Sequence, residues 1–137
     1  MKRDVYSGHV KLNGEGHLDS LGAANNYAKS LKDLERLEEA KALLRKTIPV
    51  AGRVLGDKDR LTLTMRWIYA EALCRDSNAT LDDLCEAVTT LEEIEPIARR
   101  VLGGAHPLTR GLERYLQYAQ ATLRAREAGK RVVFEYK

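Results

Sequence analysis

The sequence predicts an all-α protein made of stacked helix hairpins, about 2.5 repeats of 42–47 residues each. A glycine-led turn carries the first half of that argument. Gly14-Glu15-Gly16-His17-Leu18-Asp19-Ser20 returns as Gly56-Asp57-Lys58-Asp59-Arg60-Leu61-Thr62 and again as Gly103-Gly104-Ala105-His106-Pro107-Leu108-Thr109, at offsets of 42 and 47 residues. The second half is a gapless match of Glu39-Ala40 through Gly56 with Glu86-Ala87 through Gly103, which pairs Pro49 with Pro96 and Arg53-Val54-Leu55-Gly56 with Arg100-Val101-Leu102-Gly103. No hairpin of this size buries its own apolar face, so neighbours must stack. The five residues that lengthen the second spacing fall between Ala70 and Glu86, in the polar loop Arg75-Asp76-Ser77-Asn78-Ala79-Thr80.

The units divide as an N-terminal segment 1–13, a remnant of a preceding repeat; repeat 1 at 14–55; repeat 2 at 56–102; repeat 3, first helix only, at 103–128; and a tail at 129–137. In repeat 1 the first helix runs from near Ser20 to Leu34 with Tyr27, Leu31 and Leu34 on one stripe. The second runs from Leu37 to Leu55 with Leu37, Ala40, Leu43, Leu44, Ile48 and Val54, and Pro49 should kink or break it. Gly56 should end it in a left-handed conformation. In repeat 2 the first helix spans Leu63 to Leu73; Thr80 and Asp83 form a capping box for the second, which ends at Leu102 and kinks near Pro96. In repeat 3, Pro107 suits a first helical turn, and Leu112, Leu116, Ala119 and Leu123 make a stripe down to about Ala128. With no mate for this helix, that stripe is expected to be covered by the tail, a second protomer or a partner.

Composition narrows the function. The chain has 137 residues, 31% charged and 44% hydrophobic, with a net charge of +3, too little to argue for nucleic acid or membranes. No stretch approaches the ~20 apolar residues of a membrane span, and residues 1–8 lack an apolar signal-type run. Charge is uneven: residues 75–95 carry seven acids and one base, residues 107–137 seven bases and three acids. The two cysteines, Cys74 and Cys85, are too few for a disulfide framework and read as buried free thiols, so a reducing, cytoplasmic setting is expected. Their spacing is not that of a zinc site, and no phosphate loop or nucleophile with a base is present. His17 and His106 occupy equivalent turn positions where the middle copy has Asp59, and so read as capping residues. No catalytic residue, cofactor or metal is expected.

Several of these residues carry a family resemblance. Asn25-Asn26-Tyr27-Ala28, Glu38-Glu39-Ala40, Arg53-Val54-Leu55-Gly56 and Gly103-Gly104-Ala105-His106-Pro107-Leu108-Thr109 resemble the tetratricopeptide repeats of the kinesin light chain type, over roughly residues 11–125. The resemblance implies antiparallel helix pairs stacked into a right-handed superhelix, a tetratricopeptide-like solenoid. First helices would line a concave groove that takes extended peptides. Only repeat 1 keeps the paired asparagines, repeat 2 having Trp67-Ile68 and repeat 3 Arg114-Tyr115 there. With no heptad segment for a motor heavy chain, the chain does not read as a true motor light chain.

Helical spacing nominates the groove residues. Asn25, Lys29 and Lys32 share one face of the first helix of repeat 1; their equivalents are Trp67, Glu71 and Cys74 in repeat 2, with Arg75 beside them, and Arg114 and Tyr118 in repeat 3, and Asn26 is a further groove candidate. Lys29, Lys32, Arg75 and Arg114 outnumber Glu71, so an acidic peptide with an apolar anchor is the expected ligand. The function expected is a non-catalytic protein-protein interaction scaffold. The alternative is a structural subunit or array fragment that docks into a larger assembly through the incomplete third hairpin and tail, a surface also open to self-association. The cluster Arg124, Arg126, Lys130 and Arg131 reads as a helix-dipole complement rather than a nucleic-acid site.

Overall fold

A computed structural model describes residues 18–129. They form five α-helices in the order α1 (Leu18–Asp33), α2 (Leu37–Leu55), α3 (Arg60–Arg75), α4 (Leu81–Leu102) and α5 (Pro107–Glu127), with no strand among the described residues. Each helix packs on the next in sequence, and α1 also packs on α3.

The duplicated turns start helices in the same way. Asp59 caps α3 by accepting the Leu61 N–H at 2.9 Å, and His106 Nδ1 caps α5 by accepting the Leu108 N–H at 3.1 Å. His106 is therefore a capping residue as its duplication implies; His17 lies outside the described residues. Pro107 takes the first helical position, where its missing N–H costs nothing. In α4 both halves of the Thr80–Asp83 capping box are present, at 2.9 and 3.1 Å. The cap also explains why α3 begins at Arg60, three residues before the expected Leu63.

The helix ends correct one expectation. Gly56 and Gly103 have φ of 93° and 94°, yet their ψ values of 156° and 154° are extended rather than left-handed helical. Essentially only glycine occupies that region. The left-handed position belongs instead to Glu35, φ 61°, in the α1–α2 turn.

Neither proline breaks its helix: α2 runs through Pro49 and α4 through Pro96 without interruption. Each ring removes one intrahelical bond. Both rings are exposed, however, while Leu44 and Ala51 on either side of Pro49, and Leu91 and Ala98 on either side of Pro96, are wholly buried. Packing of those neighbours holds the helical path that the lost bond would otherwise release.

The core is one large cluster that joins all five helices, with Leu21, Leu44, Leu63, Leu73, Leu91, Ile94 and Leu112 buried in it. A smaller cluster of Leu31, Leu37, Ala40 and Ala72 closes the α1–α2 turn end. Two expected core residues lie outside. Leu34 is 68% exposed because α1 stops at Asp33, Val54 on α2 is 50% exposed, and its repeat counterpart Val101 on α4 is likewise half-exposed.

Burial repeats with the sequence, then departs from it. Ser20, Thr62 and Thr109, third in α1, α3 and α5, are all buried, and none of their hydroxyls has a hydrogen-bond partner among the described residues. Leu21, Ala28 and Leu31 correspond to Leu63, Ala70 and Leu73, and all six are buried. In α5 the same places hold Arg110, Gln117 and Gln120, the first two exposed. Of the expected α5 stripe, Leu112 and Ala119 are buried, while Leu116 and Leu123 pack half-buried against the same core as α3 and α4. The unpaired apolar face expected on the third hairpin is thus joined to the core on one side and replaced by polar residues on the other. The tail from residue 130 on lies outside the described residues.

Candidate functional site on the first-helix face

Side chains from α1, α3 and α5 meet along the proposed groove line, but several of them hold helices together. Lys32 is 7% exposed, and its Nζ lies 3.2 Å from Glu71 Oε2 and 3.6 Å from Asp33 Oδ1. This pair ties α1 to α3. Burial raises the Glu71 carboxyl above its ordinary value, against the opposing pull of Lys32. Arg75 is ion-paired with Glu35 of the α1–α2 turn. Lys32 and Arg75, both expected to face a ligand, are therefore engaged between elements. Sequence spacing missed this because the partners lie 39 and 40 residues away.

The α3–α5 seam is aromatic. The Trp67 ring lies 6.4 Å from that of Tyr115, and Tyr115 lies 5.3 Å from Tyr118, both pairs tilted. Gly111 makes room for Trp67: a Cβ there would fall 2.5 Å from the indole Cη2. Burial pushes the Cys74 thiol up to about 12, against a smaller opposing effect of the nearby Tyr115 hydroxyl. Burial likewise raises the Tyr115 hydroxyl far above the usual phenol value. Both cysteines are free, as expected, but Cys74 is only half-buried and Cys85 is exposed on α4.

What remains accessible is a shorter set. Asn26, Lys29 and Arg114 are exposed; Asn25, Trp67 and Tyr118 are half-buried. Asn25 Oδ1 and Trp67 Nε1 lack hydrogen-bond partners among the described residues. The face carries cations toward its α1 and α5 ends, with an aromatic shelf between them.

A second concavity lies between the second helices, where spacing gave no warning. An open trough of about 700 Å³ is lined by Ile48, Pro49, Gly52 and Arg53 of α2, Arg66 of α3, Glu93 and Ile97 of α4, and Asp57. It adjoins a smaller one of about 270 Å³ that shares Ile48, Pro49 and Arg66 and adds Arg45, Tyr69, Glu86 and Thr90. Tyr69 bridges its walls, accepting from Arg45 Nε at 3.2 Å and donating to Glu86 at 2.9 Å, while Arg66 pairs with Glu93 at 2.8 Å. The one sequence signal for it was Pro49 beside Gly52, a stretch of helix with little side chain to fill space.

Among the described residues no helix is long and apolar enough to cross a membrane, and no group of three or more His, Cys, Asp or Glu is arranged to hold a metal ion. Comparison with protein families, with curated proteins and with solved structures finds no match to this chain. The class defined is an all-α protein of packed consecutive helices.

Proposed function

We propose that this chain is a non-catalytic, cytoplasmic interaction scaffold that takes a peptide or protein segment on its first-helix face. Its helix pairs would stack as a right-handed solenoid similar to the tetratricopeptide repeats of the kinesin light chain type. The observation that supports this reading most directly is side-chain contact between successive first helices. Lys32 pairs with Glu71 across α1 and α3, and Trp67 of α3 seats against Gly111 and Tyr115 of α5. Exposed Lys29 and Arg114 then flank a shelf of Trp67 and Tyr118, which suits an acidic segment with an apolar anchor.

The alternative, docking through the third hairpin and tail, draws less support because Arg110, Gln117 and Gln120 make that side of α5 polar. Capture from a lysate with wild type and a Lys29→Glu/Arg114→Glu variant, both checked for folding by circular dichroism, separates the two. Partners lost only with the variant support the groove. An unchanged partner list overturns it, and partners lost only when residues 130–137 are removed favour the alternative.

A further inference from the structure

The trough between α2 and α4 has basic side chains along α2 and acidic ones along α4, with Arg66 of α3 between them paired to Glu93 and with Asp57 following α2. α2 and α4 do not pack extensively on each other, and α3 spans the gap beneath them. Ile48, Pro49 and Ile97 supply apolar surface, Arg45 and Arg53 line the α2 side, and Glu86 and Glu93 line the α4 side. Pro49 has no N–H, so the Arg45 carbonyl four residues back lacks its intrahelical donor beside the trough. From Arg45 to Arg53 the wall rises about 12 Å, a little over two helical turns. α3 already lies against both α2 and α4 from the inner side. A second helix laid over the outer side repeats that packing.

We propose that this trough seats an amphipathic helix of a partner protein, its apolar stripe on Ile48, Pro49 and Ile97, an acidic edge along α2 and a basic edge along α4. Electrostatic complementarity fixes the direction of docking as well as the affinity. Turning a helix end for end, with its apolar stripe still down, exchanges its two edges. Only one direction places acid against Arg45 and Arg53 and base against Glu86 and Glu93. The site does not use the first-helix face and stands or falls separately from it.

The probes are synthetic helical peptides with one leucine stripe. Two carry glutamates on one edge and lysines on the other, the second with the edges exchanged; two controls carry glutamate or lysine on both edges. With ¹⁵N-labelled protein, the mixed-edge peptides should shift the amides of Ile48, Gly52, Glu93 and Ile97 and bind roughly tenfold tighter than the controls. A spin label at the peptide N terminus should broaden signals near Glu86 for one mixed-edge peptide and near Asp57 for the other. Ile97→Glu should abolish the shifts, and the surface variant Arg53→Glu should weaken binding without loading the core. Lys29→Glu/Arg114→Glu should leave binding unchanged. Equal binding of the single-sign peptides, a docking direction that does not reverse, absence of any shift, or shifts confined to the first-helix face would each overturn the proposal.

Discussion

The Trp67 indole rests against bare backbone at Gly111: its Cη2 atom occupies space 2.5 Å from where a side-chain carbon of residue 111 would stand. Glycine is otherwise a poor choice inside a helix, costing about 1 kcal/mol relative to alanine. Here the clash with a rigid, half-buried ring outweighs that gain. We expect Gly111→Ala to destabilise the fold by about 1–3 kcal/mol. Gly22, also within a helix, has nothing within 4 Å of its would-be Cβ. Gly22→Ala should therefore stabilise by about 0.5–1 kcal/mol. Urea denaturation of the two variants should give opposite signs; equal signs would show that Trp67 moves aside freely.

Lys32 and Glu71 are a second test of packing. Both are largely buried, and the raised carboxyl of Glu71 indicates that its attraction to Lys32 does not fully offset desolvation. Removing one partner strands the other, so Lys32→Met or Glu71→Leu alone should cost about 3 kcal/mol. The double variant should return to within about 1 kcal/mol of wild type or exceed it. A double variant as unstable as the sum of the singles would show that the two side chains contribute independently rather than as a pair.

Two carboxylates near the end of α3 should give opposite pH slopes. Asp76 is held below its ordinary value, chiefly by the Asn78 N–H at 2.9 Å and then by Lys41 at 3.2 Å, against the contrary effect of burial. Its contribution to stability is present above the unfolded value of about 3.9 and is lost as pH falls through the lower folded value. Glu71, raised by burial, contributes below its unfolded value of about 4.3 and loses that contribution as pH rises through the folded one. Relative to wild type, Asp76→Asn should lose its deficit on acidification, whereas Glu71→Gln should gain as pH rises. Denaturation midpoints over a pH series check both slopes.

The two thiols should report folding by reactivity. Cys74 is desolvated at the α3–α5 seam with its thiol raised to about 12, so the thiolate is scarce at neutral pH. Cys85 is exposed on α4. A maleimide reagent should modify Cys85 in the folded protein and Cys74 only on unfolding. Rapid modification of both in native buffer would mean that the seam opens readily.

The sequence announced the elements better than their contacts. Leu37–Leu55 could be read at both ends because a periodic run begins after the turn and meets Gly56, and Thr80–Asp83 could be read because a capping box is local. Relations between distant residues were not readable. Nothing near Lys32 reveals that Glu71 will neutralise it, and Leu34 looks like a continuation of the Tyr27–Leu31 stripe until α1 ends one residue sooner. Of the kink or break read at the prolines, the break is absent, and Leu44, Ala51, Leu91 and Ala98 are buried on either side of the two rings. Counting cations along the candidate groove line also missed that Lys32 and Arg75 pair with neighbouring elements.

Three side chains set one side of α5 apart from the other first helices. Where α1 and α3 carry Leu, Ala and Leu, α5 carries Arg110, Gln117 and Gln120. Writing Leu, Ala and Leu back at those positions would rebuild the seat that the other two first helices offer. A further hairpin could then be grafted onto the fifth helix, so that the number of stacked helices becomes an editable property of its surface.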